Sequence, residues 1–145
     1  MVKSLVITIG GLTMNSKSKV TASRHKQRIK IIEKLYNMDM NNETTFEPYD
    51  DPFVNDAIKG IFTYQEKIDK LITDHLVNWS IKRLSTVDRA ILRLAVYEMY
   101  DTNTPAEIII NEALNLTRTF TDEGDNKAVA FNNSVLDKIK TTLNK

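Results

Sequence analysis

The chain has 145 residues, a single-domain length, and its 20 Lys and Arg against 19 Asp and Glu give a formal charge of +1. It has no cysteine, which excludes a disulfide framework and thiolate metal sites, and only four glycines and three prolines, which argues against a turn-rich all-β fold. The charge is uneven: residues 17–34 carry +6 and residues 35–57 carry −6. That asymmetry points to a polyanion partner on one side, although a solvated basic arm explains it equally well.

Residues 1–22 read as an N-terminal tail or extension ahead of a domain at residues 23–145. Leu5 to Ile9 is a short β-prone run followed by Gly10-Gly11, too brief for a signal peptide or membrane anchor. It fits a loosely docked tail, a short edge strand, or a vector- or start-site-derived extension with Met14 as an internal start, and no function is assigned to it. Ser23 is a reasonable cap for a first helix, along which Ile29, Ile32, Leu35 and Tyr36 recur at helical spacing. The basic residues of that helix lie in its first turns, where they oppose the helix dipole. The cost makes a functional reason for them more credible.

An acidic loop follows. Asp51 and Pro52 then form a cap and first-turn pair for a long amphipathic helix to about Val77, with Val54, Ile58, Ile61, Ile68 and Ile72 on its stripe. Trp79 sits at the next junction and reads as a core anchor, since large aromatics mostly serve burial. Residues 78–99, NWSIKRLSTVDRAILRLAVYEM, are apolar almost all round in their second half, the mark of a central buried helix. Ser85 and Asp88 are spaced as a capping box at its start. Val87, Ile91, Leu94 and Ala95 are expected in the core. Thr104, Pro105 and Glu107 carry the start signals of a further helix burying Ile109, Ile110, Ala113, Leu116, Thr117 and Phe120. TDEGDN, residues 121–126, is a loop. The last helix starts near Lys127, with Phe131, Val135, Leu136, Ile139 and Leu143 as its stripe. About six helices on short connections predict an all-α bundle.

The inventory for catalysis is thin, and no enzyme activity, cofactor or metal is expected. His25 and His75 lack metal-ligand spacing, and no phosphate loop or nucleophile elbow occurs. Asn111-Glu112 reads best as a structural pair that ties two helices together. Binding remains. A basic helix start, Tyr36 on the same helix, and Lys127 beside Phe131 are the ingredients of a single-strand nucleic-acid surface, in which cations neutralise phosphates and rings stack on bases. Phe131 also fits the core stripe.

Four segments together resemble the NusB family of transcription antitermination factors. They are residues 78–99; PAEIIINEAL, residues 105–114; FNNSVLD, residues 131–137; and RHKQR, residues 24–28, followed by Leu35-Tyr36. They occur in family order over about residues 23–139. The resemblance implies an all-α bundle of about six to seven helices in two small subdomains. It implies binding of boxA-like RNA together with NusE, the small-subunit ribosomal protein, in a complex that joins transcribing RNA polymerase and suppresses premature termination of ribosomal RNA transcription. It places Arg24, His25, Lys26 and Arg28 on the basic RNA-binding helix, with Tyr36, Asp88, Arg89, Lys127 and Phe131 also at the RNA. The implied setting is cytoplasmic, away from membranes, and a homodimer is left open. The alternative is a protein-interaction module that keeps the fold and has lost boxA recognition. The chain departs from the family at His25 and Lys26, where arginine is common, at Asn132 (usually Val) and at Ser134 (usually Gly).

Overall fold

The structure, a computed structural model, describes residues 7–9, 12–14, 16–45 and 47–145, with side chains from residue 23 onward. Two short strands, β1 (Ile7–Ile9) and β2 (Leu12–Met14), pair antiparallel with Ile7 opposite Met14 and Ile9 opposite Leu12. Everything after them is helix and connection: α1 (Ser16–Met40), α2 (Pro52–Thr63), α3 (Gln65–Asp74), α4 (Thr86–Asp101), α5 (Ala106–Phe120) and α6 (Lys127–Thr142). The all-α bundle expected from the sequence is the observed fold. The first helix starts at Ser16 rather than Ser23, so residue 23 lies inside a continuous helix.

The buried side of α1 is Arg28, Ile31, Ile32, Leu35 and Met38, spaced three and four apart as one helical stripe requires. Asn42 ends this segment at φ 53, a left-handed geometry that asparagine tolerates, and the Glu43 amide donates to the Met38 carbonyl at 2.9 Å. Asp51 caps α2 as its sequence signal predicts: the Phe53 and Val54 amides donate to its carboxylate at 3.0 and 3.3 Å, with Pro52 in the first turn.

The expected long helix from Pro52 is two helices. Tyr64, at φ −107 and ψ 19, leaves helical geometry between α2 and α3, and its ring meets Tyr100 edge-on at 5.3 Å. The apolar pattern does not register the break. Ile61 and Ile68 are seven residues apart, close to two helical turns, so the stripe stays in phase across it.

Helix α4 is the hub. It packs against α1, α2, α3, α5 and α6, and Ala90, Ile91, Leu92, Leu94, Ala95, Val96, Tyr97, Glu98 and Met99 are buried along it. Its all-round apolar surface is what a helix surrounded by others needs. The helix begins at Thr86, later than the apolar segment suggested; residues 78–85 form a turn at Asn78 (φ 57) and a 3-10 turn at Ile81–Arg83. The Asp88 amide donates to the Ser85 hydroxyl at 3.0 Å, the expected cap, while the Asp88 carboxylate accepts from that hydroxyl at 2.9 Å rather than from the Ser85 amide of a full capping box. At the other end, Gly60 lets the Tyr97 ring lie on the α2 backbone; a Cβ there would stand within 2.1 Å of the ring.

The core expectations hold only in part. Val87, Phe131 and Leu143 are half-buried against the core, and Phe120 is exposed at the end of α5. Trp79 is 45 % exposed, not a core anchor. The Thr104 side chain does not cap α5. Its amide instead donates to the Thr102 hydroxyl at 3.3 Å, and Pro105 stands at the cap position with no side-chain bond.

Candidate nucleic-acid interface

Two ion pairs fix how α1 lies on α4. Arg28 donates from Nε and Nη2 to the two Glu98 carboxylate oxygens at 2.9 and 2.8 Å. Arg89 donates from Nε and Nη2 to the Asp39 carboxylate at 3.1 and 2.6 Å. Early α1 meets late α4 and late α1 meets early α4, so the helices run antiparallel. The N-terminal part of α1 is therefore at the far end of the bundle from the start of α4.

The candidate RNA residues divide along this axis. Tyr36, 38 % exposed, lies one turn before Asp39 and so beside the start of α4. Asp88 sits in the first turn of α4, and Asn132 of α6 donates to it at 3.4 Å. Phe131 therefore stands at the same end, half-buried against the core, with the exposed Lys127 at the head of its helix. Arg24, His25 and Lys26 lie at the other end; Lys26 is ten residues from Tyr36, about 15 Å along a helix.

Not all of these side chains are available. Lys26 is exposed and has no ion-pair partner among the described residues. The Arg24 guanidinium stands 4.1 Å from the Phe53 ring centre and bonds to Gln27 at 2.8 Å, yet the residue remains exposed. His25 Nδ1 lies 3.2 Å from a Glu112 carboxylate oxygen. That contact ties α1 to α5, the helix-to-helix role expected of Glu112, while Asn111 is exposed.

Arg28 corrects its expected placement at the RNA: it is 4 % exposed and both faces of its fork are taken by Glu98. Burial opposes its charge, but the Glu98 hydrogen bonds and charge, with Glu112 nearby, outweigh it and hold the guanidinium above its ordinary value. Arg89 is likewise turned inward, bonded to Asp39 and to the Ile81 and Leu84 carbonyls at 3.3 Å each. The Asp88 carboxylate is engaged on both oxygens, accepting from the Ser85 hydroxyl at 2.9 Å and from Asn132 at 3.4 Å.

The periodicity of α1 held a signal beyond the expected set. Lys30 follows Lys26 by four residues and shares its exposed face. Two of the six acids of residues 35–57 are engaged inside the fold. Asp39 pairs with Arg89 and approaches Arg93 at 4.0 Å; Asp51 caps α2 and accepts two bonds from Gln27 at 3.0 and 2.9 Å. Asn132 is 0 % exposed; its amide nitrogen donates to the Thr117 hydroxyl at 3.0 Å, and its carbonyl oxygen is buried without a partner among the described residues. Among the described residues no group of three His, Asp or Glu is placed to hold a metal, and no helix is long and apolar enough to cross a membrane.

The NusB family model matches residues 13–141. The transcription antitermination protein NusB of Bacillus subtilis (strain 168) is 39 % identical over 129 residues, covering 83 % of this chain and 96 % of that protein. Among solved structures, T. maritima NusB aligns with a TM-score of 0.69 at 31 % identity, covering 81 % of this chain and 90 % of that one. A chain in the crystal structure of a plectonemic RNA supercoil aligns with a TM-score of 0.69 at 26 % identity, over 82 % of this chain and 94 % of that one.

Proposed function

The chain belongs to the NusB family, and on that premise we propose that it is a transcription antitermination factor that binds single-stranded, boxA-like RNA together with NusE and joins transcribing RNA polymerase to suppress premature termination of ribosomal RNA transcription. The observation that carries the RNA reading is the exposed face of α1. Lys26 and Lys30 stand there one turn apart, and the same helix leads to an exposed Tyr36 beside the start of α4. Cations that track a backbone followed by a ring for an unpaired base are the two parts of a single-strand site.

The roles within the site follow from which groups remain open. Lys26, Lys30 and Arg24 supply charge for phosphates, and Lys127 does so beside Asp125, whose carboxylate stands 4.0 Å from its Nζ. Tyr36 stacks, and Phe131 adds the edge of its half-buried ring. Asp88 can only accept hydrogen bonds and already accepts from Ser85 and Asn132, so it would offer the amino edge of a base a carboxylate held in place by those two bonds. Arg28 and Arg89 act one layer down, holding α1 and the 3-10 turn in place beneath this surface. No acid pairs with Lys26 among the described residues, whereas Asp51 of the −6 segment lies close enough to Lys30 to interact with its charge, so Lys26 is the open cation of this face.

The test is a titration of the intact protein with a boxA-like and a scrambled RNA, with and without NusE, across a salt series. Lys26→Ala should weaken binding to both RNAs and reduce the salt slope by about 0.7 to 1. Tyr36→Ala should reduce the preference between the two as well, since unpaired bases are read through stacking and edge contacts. Binding unchanged in Lys26→Ala, Lys30→Ala and Tyr36→Ala would remove RNA from this face and favour the protein-interaction module.

A further inference from the structure

Trp79 is the sole tryptophan of the chain, and it is 45 % exposed. A side chain that large is ordinarily worth more in the core, and the exposed part of its ring is a flat apolar surface on which a partner can stack. Its position is fixed locally. Asn78 at φ 57 turns the backbone just before it, and the Arg83 guanidinium stands over its ring at 4.9 Å. Lys82 and Arg83 are both exposed and make no ion pair among the described residues. Residues 75–87 contain these two cations and His75, and no Asp or Glu. The surface is therefore a ring set in positive charge.

This surface is anchored to the start of α4. The 3-10 turn that carries Lys82 and Arg83 is held by Arg89, whose Nη1 donates to the Ile81 and Leu84 carbonyls while its Nε and Nη2 grip Asp39 of α1. Thr86, at the head of α4, reaches Met40 Sδ at 3.8 Å. Trp79 thus belongs to the same end of the bundle as Tyr36, Asp88 and Phe131, on the side of α4 that leads into it.

We propose that Trp79, flanked by Lys82 and Arg83, is a second base-stacking platform that extends the single-stranded RNA path past the start of α4. The proposal rests on the RNA reading given above and adds a site to it. Arg83 on one ring face and a base against the rest of the exposed ring make a cation–ring–base stack, with Lys82 left for a phosphate. An exposed Trp beside an Arg also suits a protein partner. Charge favours RNA: the ring's neighbours Lys82 and Arg83 make no ion pair among the described residues, while Asp88 of the adjoining end is already bonded to Ser85 and Asn132.

Because the tryptophan is single, the unaltered protein reports on its own site. Binding is followed by the anisotropy of a labelled single-stranded RNA, and Trp79 by its emission and its accessibility to acrylamide in the same titration. Stacking should quench the emission and shield it from acrylamide in step with the anisotropy, and raised salt should reverse all three. Trp79→Ala should weaken binding about tenfold, Trp79→Phe should retain most of it, and both should keep the helical spectrum of the parent. Lys82→Ala with Arg83→Ala should lower the salt slope by about 1.4. If RNA binds with Trp79 emission unchanged and Trp79→Ala binds like the parent, the platform is wrong and the antitermination reading stands. If the intact protein binds no RNA at all, both fall. If the ribosomal protein partner alone shields Trp79 and RNA does not, the surface is a protein contact and the proposal is overturned.

Discussion

A guanidinium that is 4 % exposed and bonded at both prongs to one carboxylate has no charge to offer a phosphate. Removing Arg28 should therefore act on stability first. Arg28→Ala leaves Glu98 buried without its partner and should cost about 3–5 kcal/mol, read as a lowered urea midpoint. Replacing both residues by methionine should recover most of that loss, because an apolar pair of similar volume avoids the desolvation of two ions. Lys26→Ala should show the opposite profile, with an unchanged midpoint and weaker RNA binding. The two residues are two positions apart in one basic run, and that is why the sequence does not separate them. Arg28 is interior because Glu98, 70 residues away, meets it there, and each alone looks like a surface charge. Trp79 was misread for the converse reason. Its size predicts burial, while its exposure follows from the turn at Asn78, which hydropathy does not encode.

At the scale of one helix, the termini decide what was legible. The Asp51-Pro52 and Ser85-Asp88 signals each rest on residues within three positions, and both caps form. Asp51 adds a pH dependence. Its carboxyl lies below the usual carboxylate range, chiefly because Gln27 donates to it, with the Val54 and Phe53 amides and Lys30 assisting against a smaller effect of burial. A carboxyl with a lowered folded value stabilises the fold at pH above its unfolded value, about 3.9 for Asp, and that contribution is lost as pH falls through the lower folded value. Asp51→Ala should thus cost about 0.5–2 kcal/mol at neutral pH, with the gap to the parent closing below about pH 4 in thermal melts. Gly60 shows the limit of propensity. Alanine favours a helix interior over glycine by about 1 kcal/mol, yet Gly60→Ala should destabilise by about 1–3 kcal/mol because its Cβ would enter the Tyr97 ring. The contact that forbids it is made by another helix, as is the Tyr64–Tyr100 contact at the unforeseen break between α2 and α3.

For the molecule as a whole, the apolar pattern of α4 was the strongest guide, since a helix apolar on every side has to be surrounded. Leu94, 1 % exposed, lies at its middle; Leu94→Ala should cost about 2–5 kcal/mol. The helical signal and Trp79 emission should still lose structure at one shared midpoint, as a single cooperative unit requires. Placing that hub at residues 86–101 also sets the order of events during synthesis. Helices α1, α2 and α3 leave the ribosome first, and each has its apolar stripe turned toward a helix that does not yet exist. Joining Arg28 to Glu98 closes a loop of 70 residues, whose length-dependent entropy cost is about 4 kcal/mol. The α1–α2 contact can form before that, but the helix that completes all three stripes cannot, so the nascent N-terminal half has no finished core. Translation of α4 is the event that turns these helices into a domain.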